Sequence, residues 1–134
     1  MKVREERTGW RDERISLRHK AWGWDCPALD IDFLLLEYDG GTAAALVEYK
    51  HECAPEVRVG HPSVRAIVDL ADRAGVPAFL VRYADDFTWW YPTPLNERAR
   101  ALRPEARHLS EEQWVQLLYR CRGRELPPAW RQRA

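Results

Sequence analysis

The 134-residue sequence predicts one α/β (α+β) domain with a central mixed β-sheet flanked by helices. Two apolar, β-favouring runs, residues 29–38 and 42–50, are joined by the turn sequence Asp-Gly-Gly. An amphipathic segment follows them, and two further short apolar runs come next. The C-terminal part then returns to helical spacing. The order helix, hairpin, helix, strand, strand, helix is typical of a mixed sheet covered by helices.

The first half of the chain begins with a polar segment that predicts a helix over about residues 12–20. Gly23 and Pro27 end it, because neither residue continues a helix comfortably. The hairpin follows, and its glycines can take the positive φ that a short antiparallel turn needs. Both strands are nearly continuous in apolar residues, so we expect both to lie centrally in a sheet that is covered on both faces.

The second half begins with an amphipathic helix over Ser63–Ala74, which Gly75 and Pro77 stop. Two short strands are predicted from the runs at residues 77–83 and 87–94. Asn96 opens a short helix, and the last helix covers Ser110–Arg122. That helix starts with an S-x-x-Q capping box.

The composition indicates a compact domain in the cytoplasm. Its core is expected over about residues 4–122, with a C-terminal arm at about 123–134. The longest apolar runs are much shorter than the ~20 residues of a membrane span, so no membrane association is expected. The charged N-terminus lacks the apolar stretch of a secretory signal. The three cysteines fit neither a disulfide framework nor a zinc pair.

The charge is unevenly distributed although the formal net charge is zero. An acidic middle section lies between arginine-rich ends, which is the pattern of a cation-binding centre with anion-binding flanks. Solvated helix faces that happen to be basic give the same distribution, and the charge pattern alone favours that interpretation. Lysine is rare, and only Lys2, Lys20 and Lys50 are present. Lys50 lies inside the acidic section. A lysine at this place in a chain that otherwise uses arginine indicates a need for a compact, mobile ammonium group instead of a planar guanidinium.

Charged side chains are predicted to meet at the open end of the hairpin. Strand residues two positions apart point to the same face, so Asp30 shares a face with Asp32, and Glu48 shares one with Lys50. A turn centred on residues 39–41 places Glu48 opposite Asp32 and Lys50 opposite Asp30, to within about one residue of register. We therefore expect two or three carboxylates and one ammonium group on a single patch.

This patch suits a divalent cation, because neighbouring carboxylates repel one another. Mg²⁺ prefers one or two carboxylates together with waters and phosphate oxygens. Such an ion activates water and offsets charge on a phosphodiester. An isolated Glu-x-Lys pair is most often a solvated strand end. The aspartates on the preceding apolar strand favour the functional interpretation here.

A helix, a hairpin with an aspartate and then E-x-K, a second helix and a further strand resemble the core of the PD-(D/E)XK nuclease superfamily. The resemblance covers about residues 4–91. Leu29 and Ile31, instead of proline, precede the candidate aspartates. The resemblance implies a restriction-endonuclease-like core and a Mg²⁺-dependent phosphodiesterase or endonuclease that hydrolyses DNA, with Mn²⁺ as a substitute ion.

The resemblance also implies roles for individual residues. Asp32, Glu48 and Lys50 match the catalytic motif. The metal ligands would be the carboxylates of Asp32 and Glu48 and the backbone carbonyl of Tyr49. Asp30 remains an alternative for the motif aspartate. Glu13 on the first helix is a further candidate ligand, with Glu6 as its alternative.

The basic residues would contact the nucleic acid without reading its sequence. The candidates are Arg11, Arg14, Arg18, His51, Arg120, Arg122 and Arg124. Trp89, Trp90 and Tyr91 are interpreted as core or interface anchors rather than as a surface on which bases stack. The alternative function is a non-catalytic module that keeps this fold and binds nucleic acid or a protein partner. A homodimer also remains open.

Overall fold

The computed structural model of the protein describes residues 13–23, 27–37, 39–102 and 108–128. The chain divides into two compact units, Met1–Asp30 and Ile31–Ala134. The described part of the first unit contains helix α1, Glu13–Trp22. The described residues of the second unit form four strands and three helices: β1 (Phe33–Glu37), β2 (Thr42–His51), α2 (Pro62–Ala74), β3 (Ala78–Tyr83), β4 (Trp90–Pro94), α3 (Glu97–Ala101) and α4 (Glu111–Cys121).

The four strands form one mixed sheet in the order β1-β2-β3-β4. β1 is antiparallel to β2, β2 is parallel to β3, and β3 is antiparallel to β4. The parallel pair requires a crossover between β2 and β3, and α2 forms it. The predicted mixed α/β class is therefore confirmed. No helix in the described residues is both long enough and apolar enough to cross a lipid bilayer.

Helices cover both faces of the sheet, and each face has its own hydrophobic core. On one face, called here the α4 face, strand residues such as Val47 and Phe79 pack with Trp114 and Leu117 of α4. On the other, called here the α2 face, Leu46 and Ala78 belong to a cluster with residues of α2. That cluster contains Val64, Ile67 and Ala71. The alternation of strand side chains between two faces explains why β2 contributes to both cores.

The local signals that mark helix ends are confirmed. Gly75 ends α2 at φ 74°, a left-handed conformation that glycine adopts without steric cost. Asn96 is the N-cap of α3, and its side chain accepts the amide N–H of Ala99. Ser110 and Gln113 form the reciprocal bonds of a capping box at the start of α4.

The prediction that both hairpin strands lie centrally was wrong for the first of them. β1 is an edge strand, and its side chains Phe33 and Leu34 are 60% and 51% exposed within the described structure. The strand order depends on where the α2 crossover places β3, and this is beside β2 on the side away from β1. An apolar run indicates that a strand is hydrophobic, but it does not indicate whether the strand has one neighbouring strand or two.

Candidate active site at the open end of the hairpin

The pairing of β1 with β2 brings Asp32 opposite Glu48. The register pairs Phe33 with Val47, Leu34 with Leu46 and Leu35 with Ala45, and continuing it by one step aligns the two acids. A β-bulge lies between Leu35 and Leu36, on the turn side of these pairs. Without the bulge, the turn-side pairs Leu36–Ala43 and Glu37–Thr42 would extend to Asp32 opposite Val47. The bulge shifts the open end by one residue and so brings Asp32 opposite Glu48.

Two hydrogen bonds tie these acids to the backbone. The amide N–H of Asp32 donates to Oε1 of Glu48 over 3.2 Å. The amide N–H of Tyr49 donates to Oδ2 of Asp32 over 3.1 Å. Each carboxylate thus uses one of its two oxygens for a backbone bond across the strand pair. These bonds hold the two carboxyl groups side by side, although β1 itself begins only at Phe33.

The electrostatic environment of Glu48 includes the charges of both Asp32 and Lys50. Burial raises the pKa of Glu48 above its ordinary value. The Asp32 carboxylate raises that pKa further, both by charge repulsion and through a side-chain hydrogen bond. The amide of Asp32 and the positive charge of Lys50 act in the opposite direction. Glu48 is therefore close enough to both Asp32 and Lys50 to respond to their charges.

Tyr49 separates Glu48 from Lys50 in the chain and points to the opposite face. Its ring packs against the α4-face core, and its hydroxyl accepts a hydrogen bond from Nε1 of Trp114 over 3.1 Å. The N–H and C=O groups of one strand residue point to the same side. Because the N–H of Tyr49 reaches Asp32, its carbonyl is also directed towards the side of β2 where Asp32 lies.

The oxygen donors at this position suit a hard cation. Asp32 and Glu48 provide two carboxylates, and the Tyr49 carbonyl adds a neutral oxygen on the same side. The described residues contain no group of three or more His, Cys, Asp or Glu side chains that could hold a metal ion. The described residues therefore do not supply a complete set of side-chain ligands for a metal ion. Mg²⁺ needs only one or two carboxylates when waters and substrate oxygens complete its shell, so the two acids fit it.

Several predicted site residues belong to the first unit and not to the unit that carries Glu48. Asp30 is the last residue of the first unit, and Glu13, Arg14 and Arg18 lie on α1. Arg14 and Arg18 are exposed. Arg11 and the alternative ligand Glu6 lie outside the described residues.

His51 is on the face of β2 opposite to Lys50, because neighbouring strand residues alternate. Its Nε2 lies 2.9 Å from Oδ1 of Asp85, and its Nδ1 accepts the amide N–H of Cys53 over 3.0 Å. The ring also makes an edge contact with Tyr83. The structure therefore does not bring His51 to the patch formed by Asp32, Glu48 and Lys50.

The C-terminal arginines lie at the other end of β1. Arg122 forms a hydrogen-bonded ion pair with Glu37, and Arg124 donates to the same carboxylate over 3.0 Å. Four residues of β1 separate Asp32 from Glu37, so these arginines are about 17 Å from the carboxylate pair along the strand. Arg120 is exposed and lines a cavity together with Arg122. Of the three C-terminal arginines that were predicted to contact nucleic acid, Arg122 and Arg124 thus already bind the carboxylate of Glu37.

The sequence did not predict the role of Arg82. This residue pairs with Lys50 across the parallel strands. Its Nη1 donates to the backbone carbonyls of His51, Glu52 and Ala54, with the shortest distance, 2.8 Å, to Ala54. The guanidinium thereby fixes the loop that follows Lys50. No sequence signal links an arginine of β3 to these carbonyls, because the contact depends on the crossover through α2.

The fold and this site define a mixed α/β protein with a carboxylate pair and a lysine at the open end of a β-hairpin. Comparisons of the chain with known protein families, curated proteins and solved structures found no match.

Proposed function

We propose that the protein is a metal-dependent phosphodiesterase, an endonuclease of the PD-(D/E)XK type, that hydrolyses phosphodiester bonds in DNA. The observation that carries the proposal is the convergence of Asp32, Glu48 and Lys50 at the open end of one hairpin. The hydrogen bonds between Asp32 and the Glu48–Tyr49 segment support it. The response of the Glu48 pKa to both Asp32 and Lys50 supports it as well.

In this proposal Asp32 and Glu48 would hold Mg²⁺, with the Tyr49 carbonyl as a further ligand. The ion would act as a Lewis acid that activates water and offsets negative charge on the phosphate. The two backbone hydrogen bonds orient the carboxylates before substrate arrives, so little reorganisation is needed. The partial burial of Glu48 strengthens its electrostatic interaction with a cation, since less water competes for the carboxylate.

Lys50 provides a positive charge beside the carboxylates. Its ammonium group would donate a hydrogen bond to the attacking water or to a non-bridging phosphate oxygen. Lys50 is half-buried and lines an open groove, and its positive charge acts on the Glu48 carboxylate. A lysine at the wall of an open groove can also contact an anionic substrate.

The position of Lys50 also favours the first of the two candidate functions. A non-catalytic module that keeps the fold has no need for a lysine beside two carboxylates at an open groove. Burial is the first cause of the raised pKa of Glu48, and the charge of the neighbouring Asp32 carboxylate adds to it. Carboxyl groups whose pKa is shifted by burial and by a charged neighbour concentrate at catalytic sites, which favours the enzyme.

The experiment compares nicking of supercoiled plasmid by the wild type, Glu48→Gln, Lys50→Ala and the exposed control Glu125→Gln. Reactions contain Mg²⁺, Mn²⁺ or EDTA, and the same preparations are assayed on single-stranded DNA. We expect metal-dependent cleavage by the wild type and the control. Loss of one positioned charged group should reduce the rate by about 100-fold or more. Equal cleavage by all four proteins, or none by the wild type with either ion, would contradict the proposal.

A further inference from the structure

A groove of about 390 Å³ lies beside Lys50 on the α2 face of the sheet. Strand pairing places Lys50 next to Arg82 and Arg82 next to Tyr91, so these three residues form one row across β2, β3 and β4. Directly paired residues share a face, and Tyr91 is therefore on the same side as Lys50. Trp89 and His108 complete the aromatic wall of the groove.

The three rings of this wall form a fixed cluster. The ring centroids of Trp89 and His108 are 4.4 Å apart, and those of Tyr91 and His108 are 5.3 Å apart. The backbone bridge between Trp90 and Leu109 holds the two segments together through N–H···O bonds of 2.9 and 2.7 Å. The bridge holds the backbone next to each of the three rings, since Trp90 lies between Trp89 and Tyr91 and Leu109 follows His108.

These rings are not part of either hydrophobic core. Trp90 packs against the α4-face core, as the sequence interpretation of an anchor expects. Trp89 and Tyr91 belong to neither core cluster; both are half-buried, and His108 is exposed. A Trp, a Tyr and a His that gather beside a lysine, outside both cores, form a surface on which a planar ring can stack.

The spacing of the row fits one nucleotide. Lys50 and Tyr91 are two strand spacings apart, about 10 Å between their backbones. A phosphate at Lys50 would place the base of the adjoining nucleotide within reach of the Tyr91 and Trp89 rings. Thr93 adds a hydroxyl to the same groove, which can donate or accept a hydrogen bond at the edge of a base. Glu56 adds a carboxylate, 3.9 Å from Nη2 of Arg82, which can accept one.

We propose that this groove binds an unpaired nucleobase by stacking, next to the phosphate that Lys50 contacts. The proposal rests on the proposed function and specifies its substrate class. A base inside a duplex is stacked on both faces and cannot enter the groove without leaving the helix. The substrate is therefore single-stranded nucleic acid, or a duplex with unpaired nucleotides at the cleavage position.

Binding is tested first, in EDTA, so that cleavage does not interfere. Fluorescence anisotropy measures the affinity of the full-length protein for three labelled probes of equal length: a single strand, an abasic single strand of the same charge and a duplex. We expect the single strand to bind about 5- to 150-fold more tightly than the abasic strand, the range that stacking of one base provides. Equal affinity for the single strand and the abasic strand would overturn the proposal.

The variants are Tyr91→Leu, Tyr91→Phe and the matched control Tyr119→Leu, in which a tyrosine of α4 outside the groove is changed. Tyr91→Leu should abolish the preference over the abasic strand, Tyr91→Phe should retain it because the ring remains, and the control should behave as the wild type. Circular dichroism checks that each variant is folded. Loss of the preference in all three variants, or in none, would refute the assignment to this groove.

The same proteins and Glu48→Gln are then assayed for cleavage in Mg²⁺. Cleavage by the wild type that does not discriminate single strand from duplex would overturn the groove proposal and leave the phosphodiesterase in place. Binding that depends on Tyr91, without cleavage of any probe by the wild type, would refute the phosphodiesterase and support the groove as a base-binding site. The two proposals can therefore fail separately.

Discussion

Asn96 is the buried polar residue on which the start of β3 and α3 depends, and its replacement by alanine should destabilise the protein strongly. The side chain is 3% exposed. Its Oδ1 accepts the amide N–H groups of Ala78 and Ala99, at 3.2 and 3.0 Å. Its Nδ2 donates to the carbonyl of Val76 at 2.9 Å and to Oδ1 of Asp72 at 3.0 Å. One amide group thus joins the end of α2, the first residue of β3 and the first turn of α3.

The magnitude follows from the groups that Asn96→Ala leaves without a partner. Two buried N–H groups and one buried carbonyl lose their hydrogen bonds, and each costs at least about 1 kcal/mol. The free energy of unfolding should therefore fall by about 3 kcal/mol. A domain of this size is stable by about 5–15 kcal/mol, so the variant should remain folded and measurable. With a urea dependence of about 2 kcal/mol per molar, the midpoint should fall by about 1.5 M.

Urea unfolding monitored by circular dichroism measures this change, and Ser110→Ala is the matched control. Ser110 is also an N-cap, but it is exposed, so water can replace its hydrogen bond to Gln113. The control should lose about 1 kcal/mol, which is the usual cost of removing a cap. If Asn96→Ala and Ser110→Ala shift the midpoint equally, then Asn96 acts only as a cap, and the argument from its buried hydrogen bonds is wrong.

Three further predictions concern ionisable groups. Folding raises the pKa of Glu48, so the ionised carboxylate destabilises the protein above its ordinary pKa of 4.5. Glu48→Gln should therefore raise the free energy of unfolding at about pH 7 in EDTA. That gain in stability should vanish below about pH 4.5. Urea unfolding measures it, and a variant that is less stable than the wild type at pH 7 would contradict the prediction. The hydrogen bond from Arg122 lowers the pKa of Glu37, so the ionised carboxylate stabilises the protein above pH 4.5 and this stabilisation is lost as the pH falls. Thermal unfolding of Glu37→Gln should therefore show a lower melting temperature than the wild type near pH 7, with a difference that shrinks towards pH 3. A difference that does not change with pH would argue against the ion pair. Burial raises the pKa of Cys121 to about 11. Iodoacetamide at pH 8 should therefore label exposed Cys53 in the native protein and Cys121 only in urea, as mass spectrometry would show. Equal labelling of Cys53 and Cys121 in the native protein would disprove the protection of Cys121.

The sequence by itself predicted the register of the hairpin to within one residue. The turn residues 39–41 and the two-residue period of a strand place Asp32 near Glu48, and the β-bulge between Leu35 and Leu36 sets the final alignment. Helix ends were equally predictable, since Gly75, Asn96 and Ser110 act on backbone groups within a few residues of themselves. These features depend on contacts that are local or that span one short turn.

Only the tertiary structure decided which strands are neighbours. The apolar run of β1 predicted a central strand, yet the crossover through α2 places β3 beside β2 and leaves β1 at the edge. The same crossover and the β3–β4 pairing bring Tyr91 into one row with Lys50, although 40 residues lie between them in the sequence. Side chains on separate elements share a groove only after those elements have packed. Local patterns therefore predict the carboxylate pair, whereas the aromatic groove beside it depends on strand order, which is fixed by packing of the whole sheet.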